Sequence, residues 1–349
     1  MSARRLVETF DAWRRVGEPL VLATVYETQG STYSKAGHEI LISARGDYQG
    51  LVSGGCLEGD IAERARKASF ERRAVAVTYD LRDEADELWG LGIGCDGLIK
   101  IFLQPLYAAD GYEPLATIVQ CMRSRTQAAV ATVIESRFAD VVAGATLVRH
   151  DGKSASFGVP EARARMLSDR CAAVLKTGRA KFEADPASFA VLYAPVKAIP
   201  SLLVLGAGLD AIPLVRLATD LGWNVTVADH RPAYTQRPGF EGAAVHTIPA
   251  AELSRTLDLD AFDAIVVMSH HLATDQTYLG QLGSVHARYI GLLGPPARKQ
   301  RLLAALAERG AALRTKLRGP VGLDIRADSP ESIALSIVAE LQATFSTPI

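Results

Sequence analysis

Apolar residues recur at helical spacing over residues 3 to 16, with Leu6, Val7, Phe10, Trp13 and Val16 on one stripe, so the chain opens on an amphipathic helix that Gly17 and Pro19 end. Leu20 to Gln29 then reads as a strand, Gly30 to Gly37 as a polar turn, and Glu39 to Ser43 and Tyr48 to Val52 as two further short strands. Helical spacing returns with Leu57, Ile61, Ala65 and Ala68. Strands follow at Ala74 to Tyr79 and Leu98 to Gln104. Farther on, Leu115 to Arg123 and Pro160 to Lys176 have helical patterns, and Ala128 to Ser136 and Val141 to Val148 alternate like strands. Asp151-Gly152 is a hairpin signal.

From Ala198 the pattern changes to short wholly apolar strands separated by helices, which predicts a parallel sheet covered on both faces. Ser201 to Leu205, a turn, the helix Ile212 to Leu221 and the strand from Trp223 to Ala228 make one βαβ unit. Ala264 to Met268 and Tyr289 to Leu293 supply later strands, and Ser329-Pro330-Glu331 starts a last helix buried through Ile333, Ile337, Val338 and Leu341. The expected fold class is therefore α/β: an N-terminal α/β domain followed by a C-terminal Rossmann-like, doubly wound parallel sheet. The divisions expected are 1–107, a middle α/β section 108–196, and 197–349.

Composition narrows the partners. The 349 residues carry 38 basic and 39 acidic groups, a net charge of -1, which gives no support to nucleic acid or an anionic membrane as partner. Four cysteines, Cys56, Cys95, Cys121 and Cys171, are dispersed without a CxxC pair, as in reduced cytoplasmic proteins. No run of eighteen apolar residues and no export-type N-terminus is seen, so a cytoplasmic location is expected.

Three stretches carry candidate chemistry. In Leu51 to Asp60, Ser53, Gly54 and Gly55 lead to Cys56 at the start of a helix, with Glu58 beside it. A helix N-terminus favours the thiolate, the form that attacks or binds metal, and glycines let a ligand approach closely. A lone cysteine is more often a small buried hydrophobe. Trp89 to Gly97 is a second cluster, four glycines around Cys95, with Gly94 before it. It fits either a loop that accommodates a ligand or a tight β-connection. Gly206 and Gly208 form a GxGxxA turn, and Asp229 follows Gly206 by 23 residues, where an acid grips a ribose hydroxyl in dinucleotide folds. Arg231 could accommodate a ribose phosphate, and His270, at the end of a buried strand, could act as acid, base or ligand, or could cap the next helix.

Taken in order, Val52-Ser-Gly-Gly-Cys-Leu-Glu-Gly59, Trp89-Gly-Leu-Gly-Ile-Gly-Cys95, Leu205-Gly-Ala-Gly208, Asp229-His-Arg-Pro232, Val267-Met-Ser-His270, Tyr289-Ile-Gly-Leu-Leu-Gly294 and Gly319-Pro-Val-Gly-Leu-Asp-Ile325 resemble the motifs of the xanthine dehydrogenase accessory factor family (XdhC/CoxI). The resemblance implies a maturation protein that holds the molybdenum cofactor, as molybdopterin or its dinucleotide form, supports exchange of an oxo for a sulfido ligand, and inserts the cofactor into an apo molybdenum hydroxylase such as xanthine dehydrogenase. It implies Cys56 and Cys95 as sulfur ligands of molybdenum or persulfide carriers, Glu58 as a polar or proton-handling group, Ser53, Gly54, Gly55 and Gly94 near the cofactor, and Gly206, Gly208, Asp229 and Arg231 as a cradle for NAD(P) or another nucleotide. His270 is a further candidate. A cysteine desulfurase is a second partner compatible with this role, and a homodimer is expected because the N-terminal section is small for a bulky pterin.

Two departures stand out. Leu209 occupies the place where the family has histidine, and Asp96 adds a negative charge where many members have glycine. The accessory reading, rather than a multiple-turnover enzyme, is favoured by the two cysteine-glycine clusters. The rival is an NAD(P)-dependent oxidoreductase using the Rossmann domain, and a third reading is a member that only docks on a partner enzyme.

Overall fold

The computed structural model describes residues 1–82, 97–185 and 187–346. Gly94 and Cys95, with the rest of the second glycine cluster up to Asp96, lie outside the described residues. The chain forms two compact units that meet in sequence at Ala198 and Ile199.

The first unit starts with α1 (Ala3–Arg14), whose N-terminus is capped by the Ser2 hydroxyl accepting from the Arg5 N–H, and whose Leu6, Val7 and Phe10 are buried. A five-stranded antiparallel sheet follows, built from β1 (Leu20–Gly30), β2 (Glu39–Ser43), β3 (Tyr48–Gln49), β4 (Val75–Asp80) and β5 (Gly97–Leu106) in the order β3-β2-β1-β5-β4. Helix α2 (Glu58–Phe70) lays Ile61, Ala65 and Ala68 on Val21, Ala23, Val25, Ile99, Ile101 and Leu103, the odd-numbered positions that strand periodicity sends to one face. The strand expected over Tyr48 to Val52 stops at Gln49. Gly50 takes φ +115, and the N–H groups of Val52 and Ser53 donate to the Glu58 side chain rather than to a neighbouring strand.

A second antiparallel sheet of this unit orders β6 (Ala128–Ser136), β7 (Thr146–His150), β8 (Lys153–Phe157), β9 (Lys181–Ala184) and β10 (Phe189–Val196) as β8-β7-β6-β10-β9. Helix α3 (Leu115–Ser124) precedes it, and α4 (Glu161–Thr177) covers it with Leu167, Cys171 and Val174. Asp151 and Gly152, both at positive φ, make the β7–β8 hairpin that their sequence signals. The strand expected over Val141 to Val148 begins later, at Thr146, because Gly144 turns the chain at φ +92 and its N–H bonds to the Val133 carbonyl. Between the two sheets, Tyr26, Phe102, Ile134 and Leu192 share one core, and the Gln104 amide donates to the Gly144 carbonyl at 2.8 Å and to the Thr146 hydroxyl at 3.3 Å.

The second unit is a six-stranded sheet, parallel throughout. Strands β11 (Ser201–Leu205), β12 (Asn224–Asp229), β13 (Ala244–Thr247), β14 (Ala264–Val267), β15 (Tyr289–Leu292) and β16 (Leu317–Arg318) lie in the order β13-β12-β11-β14-β15-β16. The order reverses between β11 and β14, the switch point of a doubly wound sheet. Leu202 and Val204 pack under α5 (Ala211–Asp220) and α11 (Pro330–Ser346), while Leu203 and Leu205 face α8 (Leu272–Leu279) and α9 (Pro296–Leu306). Short helical turns α6 (Pro232–Thr235), α7 (Leu253–Thr256) and α10 (Leu313–Lys316) fill connections. Burial on both faces explains the unbroken apolar runs, each fully buried Leu or Ile contributing about 1.5–3 kcal/mol. Cys121 and Cys171 sit buried inside α3 and α4, and burial pushes the Cys171 thiol up to about 12. Among the described residues no helix is long and apolar enough to cross a membrane.

Gln104→Ala leaves the Gly144 carbonyl and the Thr146 hydroxyl without this donor, and is expected to destabilise the first unit by about 1–3 kcal/mol. Urea denaturation followed by a probe in each unit checks this, since the second unit should keep its midpoint.

Candidate functional site

The turn before α2 is folded around one carboxylate. Glu58, the first helical residue, is fully buried, and its carboxylate curls back to accept from the N–H groups of Val52 (2.8 Å), Ser53 (2.9 Å) and Gly55 (3.0 Å) and from the Ser53 hydroxyl (2.6 Å). The same hydroxyl accepts from the Leu57 N–H at 2.8 Å. Burial alone would raise the Glu58 pKa, but the Ser53 hydroxyl and the Ser53 and Val52 N–H groups outweigh it and hold the carboxyl below its ordinary value. A proton delivered to this carboxylate must break bonds that shape the turn. The N–H groups of Val52, Ser53, Gly55 and Leu57 are thus already occupied by side chains of the turn itself.

What the turn leaves open is the thiol. Cys56 is exposed, one residue before the helix cap at Leu57. Among the described residues, a Cβ placed on Gly55 or Gly59 would meet nothing within 4 Å, whereas one on Gly54 would meet the Tyr33 ring at 3.6 Å. Gly54 and Gly55 take φ of +81 and +114, which other residues rarely adopt. Tyr33 belongs to the polar turn after β1, and the neighbouring Ser31 and Thr32 press on Gly97, where an added Cβ would lie 2.5 Å from the Ser31 carbonyl. Gly97 is the last residue of the second cluster and the one residue of it that is described.

The Rossmann turn has a second carboxylate in command. Asp229, fully buried at the end of β12, accepts from the Ala207 N–H at 2.8 Å, so it holds the middle of the Gly206–Gly208 turn. It also accepts from the Arg231 N–H and forms a two-point pair with the Arg231 guanidinium at 2.9 and 2.7 Å, and His230 Nδ1 lies 3.4 Å from it. Burial works against its charge, yet the Arg231 and Ala207 donors keep its pKa below the ordinary value. Arg231 also stacks on Tyr234, 3.6 Å from the ring centre. A ribose hydroxyl reaching Asp229 has to displace Arg231. Gly206 is required by space, since a Cβ there would lie 2.5 Å from the Met268 carbonyl.

At the N-terminus of α5, where a pyrophosphate sits in dinucleotide folds, stands the carboxylate of Asp210. One oxygen lies 2.4 Å from where a Gly208 Cβ would be, and the other is 2.7 Å from His270 Nε2. His270 is held at φ +61, and it is His271 that caps α8 by accepting from the Thr274 N–H. Beside this pair, Leu209 (68% exposed), Leu293, Pro295 and Ile333 give an apolar lining to a cavity of about 580 Å³ that Arg298 also borders. Arg298, on α9, pairs with buried Asp275 at 2.6 Å. Tyr278, in the field of Asp229 and Asp275, has its pKa raised mainly by burial, and its hydroxyl has no partner among the described residues. The turn thus brings a carboxylate to the pyrophosphate position.

Asp210, Asp275, Tyr278 and Tyr33 are the residues that sequence reasoning missed. Only Asp210 had a local signal, an acid directly before a helix. Among the described residues no group of three or more His, Cys, Asp or Glu gathers as a metal site. The described part of the first site thus offers a single thiol.

Comparison with known proteins joins these features. Residues 13–80 match the family model described as the XdhC and CoxI family, and residues 202–341 match the XdhC Rossmann domain. Over 336 residues the chain is 33% identical to a probable xanthine dehydrogenase subunit of Bacillus subtilis (strain 168), covering 96% of each chain. The chain belongs to the XdhC and CoxI family. It is also similar to the molybdenum cofactor insertion chaperone PaoD of Escherichia coli (strain K12), 23% identical over 93% of this chain and 83% of that one. A crystal structure of a xanthine dehydrogenase from Bacillus halodurans superposes with a TM-score of 0.79 at 30% identity, covering 99% of this chain and 96% of that one. The resemblance to the XdhC/CoxI family and the α/β fold class are thereby borne out.

Glu58→Gln swaps one acceptor oxygen for a donor that faces backbone N–H groups, and is expected to cost about 2–3 kcal/mol. Because the folded carboxyl titrates below its ordinary value, its contribution is complete above pH ~4.3 and is lost as pH falls through the folded pKa. The stability gap between wild type and variant in urea should therefore close on acidification; a gap independent of pH would contradict the clamp. At the Rossmann turn, Asp210→Ser should strengthen nicotinamide dinucleotide binding by about tenfold or more in calorimetry. Equal affinity in both proteins would show that Asp210 does not oppose the pyrophosphate.

Proposed function

We propose that this protein is an accessory factor for maturation of a molybdenum hydroxylase, and that its cargo is the molybdenum cofactor. The observation that carries the reading is the exposed Cys56 thiol on a turn locked by Glu58 and flanked by the open sides of Gly55 and Gly59. Molybdenum held by a pterin dithiolene prefers soft sulfur donors, and a thiol on a rigid, uncovered turn suits a cargo that must be received and released whole. Family membership and similarity to a molybdenum cofactor insertion chaperone support the same reading.

In this reading Cys56 and Cys95 act as the pair of sulfur groups that ligate molybdenum or carry a persulfide for the sulfido ligand. Glu58 serves as the positioning residue of Cys56, held in its ionised form by the turn it shapes. The protein hands its cargo to an apo molybdenum hydroxylase, takes sulfur with a cysteine desulfurase, and works as a homodimer in the cytoplasm. The rival reading, an NAD(P)-dependent oxidoreductase, is opposed by the Asp210 carboxylate at the N-terminus of α5 and by the engagement of Asp229 with Arg231. For the Rossmann unit we favour a role in holding the cofactor's nucleotide or the partner, without hydride transfer.

Anaerobic incubation of the purified protein with molybdenum cofactor, followed by gel filtration and elemental analysis, tests the proposal. Wild type should retain molybdenum near stoichiometrically, and Cys56→Ala and Cys95→Ala should each lose about tenfold or more of that affinity while keeping the wild-type unfolding midpoint. Undiminished retention in both variants, or a substrate-dependent change in nicotinamide absorbance that survives loss of both thiols, would sink it.

A further inference from the structure

Strand β4 is the edge of the first sheet: β5 pairs with it on one side, and on the other no described residue does. Its residues alternate, Val77 buried toward α2 and Ala76 and Thr78 exposed, so the strand is anchored by one face while its outer row of backbone groups stays open. Along that edge runs a groove of about 1300 Å³, bounded opposite by the β6–β7 connection and the start of β10. The volume exceeds the range usual for a small ligand, roughly 300–1,000 Å³.

The charge of this groove is one-sided. Five cationic side chains border it against three carboxylates, in a chain whose net charge is only -1. Arg64 and Lys67 are matched by Asp60 and Glu71 along α2. Arg72, Arg73 and Arg137 are exposed and have no ion-pair partner among the described residues; Arg72, at φ +52, stacks on the Tyr107 ring at 4.1 Å. Arg73 leads directly into β4 and Arg137 stands on the opposite wall, where Val142, 68% exposed, adds an apolar side chain to the groove.

We propose that this groove is a strand-addition site for an extended, acidic segment of a partner protein. The segment pairs with the outer edge of β4 through backbone hydrogen bonds, sets its carboxylates against Arg73 and Arg137, and lays an apolar side chain on Val142. A second copy of this chain offers poorer complementarity, because its own β4 carries one acid, Asp80, against the three unmatched arginines. The proposal does not depend on the identity of the cargo at Cys56.

The test uses the full-length protein and a fluorescein-labelled peptide of about eight alternating Glu and Val residues, read by fluorescence anisotropy and by hydrogen exchange. Saturable binding is expected, with slowed exchange across 75–80. Reversing both arginines (Arg73→Glu with Arg137→Glu) should weaken it about tenfold or more, and so should methylating alternate backbone nitrogens of the peptide, which leaves its charge unchanged. Both arginines are exposed and unmatched, so the double variant should fold as wild type. The proposal fails if the peptide does not bind saturably, if N-methylation has no effect, if protection falls outside β4, or if the double variant instead changes the oligomeric state, which would make the groove an interface between copies.

Discussion

A buried carboxylate without a counter-ion survives only where hydrogen-bond donors surround it, and the first unit of this protein is arranged to meet that requirement at Glu58. Three backbone N–H groups and one hydroxyl converge on its two oxygens. They can do so only because Gly54 and Gly55 accept positive φ and because β3 ends early enough to free the N–H groups of Val52 and Ser53. The constraint works in both directions. The carboxylate fixes the turn, and the turn keeps the carboxylate ionised. A thiol carried at the fourth residue of such a turn has its position set by backbone bonds rather than by packing of its own side chain, which is why it can be both ordered and exposed.

The second unit repeats the device with a different outcome. Asp229 holds the Gly206–Gly208 turn through the Ala207 N–H and is itself saturated by Arg231. Asp210 then takes the helix N-terminus, the natural seat of an anion, and is joined to His270. Gly206 keeps the fold's architectural role, the close approach to β14, while the ligand positions are occupied by side chains of the chain itself. A dinucleotide-binding architecture can therefore be retained for its packing while its phosphate chemistry is altered by one acidic residue.

Much of this was legible in the sequence. The fold of the second unit followed from its wholly apolar strands and the GxGxxA turn, because burial on both faces leaves no other pattern open to Leu202–Leu205 and Ala264–Val267. The family followed from ordered motifs. Harder to read were Tyr48 to Val52 and Val141 to Val148, where strand-like residues are pulled out of the ladder by Gly50 and Gly144 and by a side chain from the next helix. The sites were legible as residue types but not as partnerships. Glu58, Asp229 and Arg231 all stood out, yet which donors each would satisfy depends on loop geometry that no local pattern encodes. Asp210 passed unremarked since an acid before a helix ordinarily caps it.

The two carboxylate-held turns differ in what they leave uncovered, and that difference bears on function. Around Cys56 the faces of Gly55 and Gly59 meet no described residue and the neighbouring ring, Tyr33, is itself exposed, so among the described residues an incoming group meets little that must be displaced. Around Gly208 the corresponding space holds Asp210 and His270, and a ligand must first break their contact. Binding that has to displace an existing hydrogen bond is weakened by whatever that bond contributes, whereas binding at a prearranged open thiol is opposed mainly by the loss of the ligand's own freedom. On this argument the exposed thiol of the first unit is the better prepared of the two sites for a soft-metal ligand. The Rossmann unit, with an apolar cavity beside the hydrogen-bonded Asp210 and His270, is better suited to a ligand or partner group that brings its own hydrogen-bond donors to Asp210.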